Sequence, residues 1–200
     1  MRDVEGVVLA AGLSSRSRRY KMTLPLGDRT VLERTIEGMV PFVDRVIVVL
    51  GSRAERLRAL LAGHRSVSLV YNERYREGMF SSVRAGVAQV NAARFFLLPG
   101  DQPLIAPQVY ARLLAVQDAV VIPTYQGRKG HPVLLQRDLV SQILAMPAEA
   151  TLRDAIERSG YTAVAVEDEG ILLDLDTAKD YAVILSKYRA EHQPPEEQDG

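Results

Sequence analysis

The sequence predicts an α/β fold: a three-layer α/β/α sandwich in which helices cover both faces of a mainly parallel sheet. Three observations predict it. Short, continuous apolar runs rich in Val, Ile and Leu alternate with amphipathic segments along most of the chain. Strands buried on both faces have that composition, and strand–helix alternation implies parallel pairing through crossover connections. Polar clusters also recur directly after apolar runs, where loops leave the carboxyl ends of strands in such folds.

Val4–Ala10 is expected to be the first buried strand, and Thr30–Val40 an amphipathic helix with Leu32, Ile36, Met39 and Val40 on one stripe. Arg45–Leu50 follows as a second strand, then an Arg/Ala/Leu-rich helix over Arg53–Ala62. Val67–Tyr71 is a third strand, Ser81–Val90 a third helix and Arg94–Leu98 a fourth strand ending at Pro99-Gly100-Asp101. Pro107–Val116 is a helix with proline near its start, where the missing N–H costs nothing. Ala119–Pro123 and Pro132–Gln136 are strands around a polar loop, and Arg137–Ala145 is helical. Strands at Ala163–Glu167 and Ile171–Leu173 precede a last helix, about Thr177–Ala190. One domain over residues 1–190 is expected, with Glu191–Gly200 (two Pro, four acidic residues) a disordered tail.

Composition narrows the function. Lys plus Arg and Asp plus Glu both number 25, so nothing suggests electrostatic steering towards nucleic acid. The absence of cysteine excludes disulfides, thiolate metal sites and cysteine nucleophiles. No run approaches the ~20 apolar residues of a membrane span, and the start Met-Arg-Asp-Val-Glu lacks the apolar core of a signal peptide. A cytoplasmic protein without membrane partners is expected.

Four polar clusters fall at predicted strand ends. In the first, Val7-Val8-Leu9-Ala10-Ala11-Gly12-Leu13-Ser14-Ser15-Arg16 leads to Lys21. Small residues let a backbone approach phosphate oxygens, Gly12 can take a positive φ, and successive N–H groups can form an anion nest. Arg16 and Lys21 then supply charge, one as a planar fork and one as a point charge. With a single glycine the loop is neither a Walker loop nor G-x-G-x-x-G. The second cluster, Asn72–Ser82, contains Gly78 for a turn and Ser81 and Ser82 near a helix start. Both serines read first as caps and then as ligands. The third, Pro99-Gly100-Asp101-Gln102-Pro103, braces an aspartate between prolines; Asp101 suits Mg²⁺, which takes fixed oxygen ligands, and equally suits a turn. The fourth, Leu173-Asp174-Leu175-Asp176-Thr177, offers a second carboxylate. Asp174 is a metal ligand or a surface charge, and Asp176 reads first as the N-cap of the last helix. His131, in Gly-His-Pro, is a substrate contact, a metal ligand or a structural residue. Together the clusters indicate Mg-dependent phosphoryl chemistry.

With these blocks in order, the chain resembles the molybdenum-cofactor nucleotidyltransferases, cytidylyl- and guanylyltransferases of the Rossmann-like nucleotide-diphospho-sugar transferase fold. Leu9-Ala10-Ala11-Gly12-x-Ser14-x-Arg16 with Lys21 is similar to the family's nucleotide loop. Gly78-Met79-x-Ser81-Ser82-x-x-x-Gly86, Asp101-Gln102-Pro103, Gly130-His131-Pro132 and Asp174-Leu175-Asp176-Thr177 with Asp180 are similar to its later blocks. Two departures stand out: Arg16-Ser17-Arg18 replaces the usual Arg-Met-Gly, and Ala178-Lys179 replaces Pro-Glu.

The resemblance implies attack of an acceptor phosphate on the α-phosphorus of a nucleoside triphosphate, with pyrophosphate leaving. It implies Arg16, Lys21 and Asp101 as catalytic residues, and Asp101 and Asp174 as ligands of Mg²⁺. The nucleotide would meet Leu9–Ser14, Arg16, Lys21 and Asn72, and the acceptor Ser81, Ser82 and His131. Alanine before Gly12 points to CTP; the acceptor implied is molybdopterin carrying Mo, and the protein partner a molybdenum hydroxylase or its maturation factor. A GTP-using relative, a sugar-phosphate or phosphoalcohol nucleotidyltransferase and a non-catalytic cofactor chaperone remain as alternatives.

Overall fold

A computed structural model of the chain describes residues 2–12 and 20–192. Its centre is an eight-stranded sheet, preceded in space by a small hairpin. The strands are β1 (Val4–Ala10), β4 (Arg45–Leu50), β5 (Val67–Tyr71), β6 (Arg94–Pro99), β7 (Val120–Tyr125), β8 (Arg128–Lys129), β9 (Val133–Gln136) and β10 (Thr162–Ala165); β2 (Pro25–Leu26) and β3 (Arg29–Thr30) form the hairpin. The sheet order is β10-β7-β9-β6-β1-β4-β5, with β8 beside β7. Strands β5, β4, β1 and β6 pair in parallel, as do β10 and β7. Strand β9 runs antiparallel to both β6 and β7, which makes the sheet mixed at that point.

The helices are α1 (Val31–Met39), α2 (Ala54–Leu61), α3 (Met79–Val87), α4 (Pro107–Leu114), α5 (Leu139–Ala145), α6 (Leu152–Ser159) and α7 (Ala178–His192). Successive side chains of a strand point to opposite faces, so each central strand contributes to two cores. Val8, Val48 and Leu98 pack with Leu32 and Ile36 of α1 and Tyr110 of α4. Val7, Leu9, Val49 and Leu97 pack with Phe80 and Val83 of α3 and Ile143 of α5. Helix α7 closes a third, smaller cluster through Ile184, against Leu26, Val31 and Leu175.

Several expectations are corrected. The segment expected as strand Ile171–Leu173 is a 3₁₀ turn, Glu169–Leu172, because Oδ1 of Asp168 accepts the Gly170 N–H at 2.8 Å and starts a turn. Helix α6 was not expected; a reciprocal Thr151/Asp154 capping box opens it. Helix α3 begins two residues earlier than expected, at Met79. Glu191 and His192 belong to the last turns of α7 rather than to a tail, and residues 193–200 lie outside the described residues. No described helix is long and apolar enough to cross a membrane.

Candidate active site

The first loop leaves the carboxyl end of β1, and Ala11 and Gly12 form one wall of a cleft of about 490 Å³. Gly12 does not take a left-handed φ, and a Cβ there would meet nothing within 4 Å among the described residues. Leu13, Ser14 and Arg16 lie outside the described residues. Where the chain is described again, Tyr20 is buried and its hydroxyl donates to the Ala10 carbonyl at 3.0 Å. The Ser52 carbonyl stands 3.4 Å from the same oxygen. The entrance and exit of the loop are therefore tied together at the end of β1. Burial raises the Tyr20 phenol to about 12, against the opposing pull of Arg53, Lys21 and Arg56, so it stays a donor at neutral pH.

A 3₁₀ turn over Lys21–Thr23 then delivers Lys21 into the cleft. Its ammonium lies 2.5 Å from Oδ2 of Asp101 and 2.9 Å from Oδ1 of Asp176. Burial works against the charge, but the two carboxylates outweigh it and raise the lysine above its ordinary value. Asp101 is buried, two residues beyond β6, and the Gly100 N–H donates to the Leu9 carbonyl at 2.9 Å, which sets its height against β1. Asp174 lines the same cleft. Burial raises its carboxyl, partly offset by its own backbone N–H; Asp176 and Asp101 push it further up and Lys21 pulls it down.

Asp176 does not cap the last helix. Thr177 does, accepting the Asp180 N–H at 3.2 Å while the Asp180 carboxylate takes the Thr177 N–H at 2.7 Å. That reciprocal cap leaves the Asp176 carboxylate free to meet Lys21.

The Asn72–Ser82 segment divides by role. Asn72 is buried, and its amide donates to the hydroxyls of Ser81 (2.9 Å) and Ser82 (3.0 Å) while accepting the Arg74 N–H (3.0 Å). It joins the end of β5 to the start of α3 and is not among the cleft-lining residues. The Ser81 hydroxyl lies within reach of the Gly78 and Arg74 carbonyls, at 2.8 and 2.9 Å. Neither serine caps α3; Gly78 precedes the helix at φ +106°, a conformation that favours glycine. Ser82 does line the cleft, as do Gly78 and Met79.

His131 stands between this cleft and an adjoining cavity of about 320 Å³, walled by Met79, Phe80, Leu97 and the 148–152 segment. Its N–H donates to the Ile171 carbonyl at 3.0 Å, and Gly130 approaches that carbonyl so closely that a Cβ would fall 2.3 Å from the oxygen. The ring keeps some surface open to the cleft, but the protein packed around it lowers the imidazole to about 4, despite Asp174 nearby. The structure thus brings Leu9, Ala11, Gly12, Lys21, Ser82, Asp101, His131 and Asp174 to one cleft. Sequence reasoning missed Tyr75, Arg76 and Gln102 in its lining. The Gln102 amide oxygen is buried without a hydrogen-bond partner among the described residues.

The donor set suits a hard cation. Asp101 and Asp176 already share one positive charge, and Asp174 adds carboxylate oxygens to the same cleft. Among the described residues no three His, Asp or Glu side chains stand close enough to form a complete cage. A site of one or two carboxylates completed by phosphate and water needs no such cage.

The chain is similar to known proteins along most of its length. Residues 6–164 match the MobA-like NTP transferase domain family. The chain is 30% identical over 189 residues to the molybdenum cofactor cytidylyltransferase of Escherichia coli K12, covering 94% of this chain and 98% of that protein. It is 31% identical over 171 residues to the 2-C-methyl-D-erythritol 4-phosphate cytidylyltransferase of Enterobacter sp. strain 638, covering 82% of this chain and 64% of that one. Among solved structures, the manganese complex of Rv0371c from Mycobacterium tuberculosis superposes with a TM-score of 0.76 at 30% identity, covering 92% of this chain and 97% of that one. The chain belongs to the MobA-like NTP transferase domain family and is a nucleotidyltransferase.

Proposed function

We propose that the protein moves a cytidylyl group from CTP to the terminal phosphate of a molybdopterin acceptor, with Mg²⁺ and release of pyrophosphate. The observation that carries this reading is the Lys21 ammonium shared by Asp101 and Asp176 beside the first loop. It sets a positive charge and two carboxylates together in a cleft of about 490 Å³. The attacking acceptor phosphate is already an anion, so the reaction needs positioning and charge neutralisation rather than a general base.

Backbone N–H groups of Ala11, Gly12 and Leu13 cradle the triphosphate, and Arg16 and Lys21 neutralise it. Lys21 follows the negative charge that develops on the departing pyrophosphate. Asp101, with Asp174 and Asp176 beside it, holds the divalent cation, which acts as a template and Lewis acid for the phosphates when bound. His131 and Ser82 face the acceptor side; the imidazole, neutral well below pH 7, serves there as a hydrogen-bonding group without adding charge. Likeness to the Escherichia coli cytidylyltransferase supports both CTP and the molybdenum-cofactor acceptor. Delivery of the product to a molybdenum hydroxylase or its maturation factor is part of the same proposal.

A second reading, a phosphoalcohol acceptor, is favoured by the likeness to the methylerythritol phosphate enzyme. A nucleotide screen tests both: protein, Mg²⁺ and CTP, GTP, ATP or UTP, with Mo-molybdopterin or a sugar-alcohol phosphate, read by pyrophosphate release. Release with CTP and Mo-molybdopterin supports the proposal. Release with GTP moves the protein to the guanylyl branch, and release only with the alcohol phosphate replaces the acceptor.

A further inference from the structure

Lys21 holds oxygens that a divalent cation also needs. One ammonium bridges Oδ2 of Asp101 and Oδ1 of Asp176, at 2.5 and 2.9 Å. Asp101 exposes only 4% of its surface, so water does little to solvate it. No other lysine or arginine among the described residues is within ion-pair distance of either carboxylate. The backbone turn that carries Lys21 is also held in place. The Tyr20 hydroxyl anchors the preceding residue to β1, and the Tyr20 carbonyl accepts the Thr23 N–H at 3.0 Å, closing the turn that carries Lys21.

We infer that Lys21 and the divalent cation compete for Asp101 and Asp176, and that a triphosphate resolves the competition by drawing the ammonium onto itself. The inference rests on the nucleotidyl-transfer reading and adds an order of events to it. A cation approaching the protein alone meets two carboxylates whose combined charge Lys21 has halved and whose facing oxygens it occupies. A triphosphate offers Lys21 another set of anionic oxygens, within reach of the same flexible four-carbon stem. Once the ammonium shifts, the two carboxylates are exposed to the cation with their full charge. Cation and triphosphate then favour each other's binding by the same factor, as linkage requires. A free cation is thereby kept from settling in the cleft ahead of the nucleotide.

The test is a titration of Mn²⁺ into the protein with no nucleotide present, read as loss of the free-ion EPR signal. Lys21→Met and Lys21→Gln are expected to bind Mn²⁺ at least ~10-fold more tightly than the wild type, because each removes a unit charge a few ångströms from the ion. Lys21→Arg retains the charge and should remain close to the wild type. Adding Asp101→Asn to Lys21→Met should abolish the gain, which places the ion at the pair. Two neutral variants are used so that one which fails to fold leaves the other to decide. Equal or weaker Mn²⁺ binding by the folded neutral variants overturns the competition. The readout involves neither nucleotide nor turnover, so a silent nucleotide screen would reject the proposed reaction and leave this result standing.

Discussion

Tyr20→Phe removes one hydroxyl and tests whether the first loop is tied shut at its base. The phenol is 3% exposed, donates to Ala10 at 3.0 Å, and Ala10 itself is fully buried. The ring remains, so its packing and the Arg53 guanidinium 5.3 Å from its centroid are retained. What is lost is one buried hydrogen bond, worth about 1 kcal/mol net and up to ~2 where the carbonyl is left poorly satisfied. For a chain of this size that corresponds to a fall in Tm of ~2–8 °C, measured by circular dichroism. The pH dependence gives a second readout. The folded phenol, at about 12, titrates above its ordinary 10.0. Its contribution is therefore complete below pH ~10 and lost as pH rises through about 12. The wild-type advantage over Tyr20→Phe should shrink across that window, while the other tyrosines cancel in the comparison. A Tm unchanged to within ~1 °C, well inside the effect of one such bond, would refute the tie.

Three other outcomes are expected. Lys21→Ala should lower kcat in the nucleotidyl-transfer assay by at least ~10²-fold, the effect of losing one donor aimed at developing charge; near-normal turnover removes Lys21 from that role. Gly130→Ala would set a methyl 2.3 Å from the Ile171 carbonyl oxygen, so a destabilisation of ~1–3 kcal/mol is expected in urea unfolding, and a neutral result would mean that segment shifts freely. His131 should titrate at about 4 by NMR in metal-free protein. Because its folded value lies below the unfolded one, its neutral burial stabilises fully above pH ~6.5 and that contribution is lost as pH falls through about 4; a midpoint above pH ~6 contradicts the burial argument.

The central strands Val4–Ala10 and Arg45–Leu50 were legible because each is apolar on both faces. The half-buried edge strand Val67–Tyr71 also lies where the sequence places it. The mixed direction of the sheet was not legible, since Val133–Gln136 is as apolar as the parallel strands and its direction is set by the short β7–β8 return rather than by composition. Helix α6 left a trace that went unused: Thr151 and Asp154 have the spacing of a capping box, with Leu152 and Ile156 following. In the site, Lys21 and Asp101 could be recognised individually, but their pairing across eighty residues could not. Asp176 was misread because an aspartate just before a helix resembles a cap; only the competing Thr177–Asp180 pair, visible as a Thr-x-x-Asp spacing, assigns the cap elsewhere.

The site's charged groups come from three distant parts of the chain, and the pairing of β1 with β6 brings two of them together. Leu9 pairs with Pro99, so the loop after β1 and the Gly100-Asp101 turn after β6 emerge at the same height. The Gly100 N–H bond to the Leu9 carbonyl continues that register one step beyond the strand. A slip of β6 by one residue against β1 would exchange Leu98 with Leu97 between the two cores and displace Asp101 from Lys21 by about 3.3 Å, one residue of rise. Both neighbouring faces resist that slip, because the two side chains are buried in separate apolar clusters. The two cores therefore fix the spacing between Lys21 and Asp101. Lys21 alone, on a short turn with a flexible stem, is left able to move between carboxylate and phosphate.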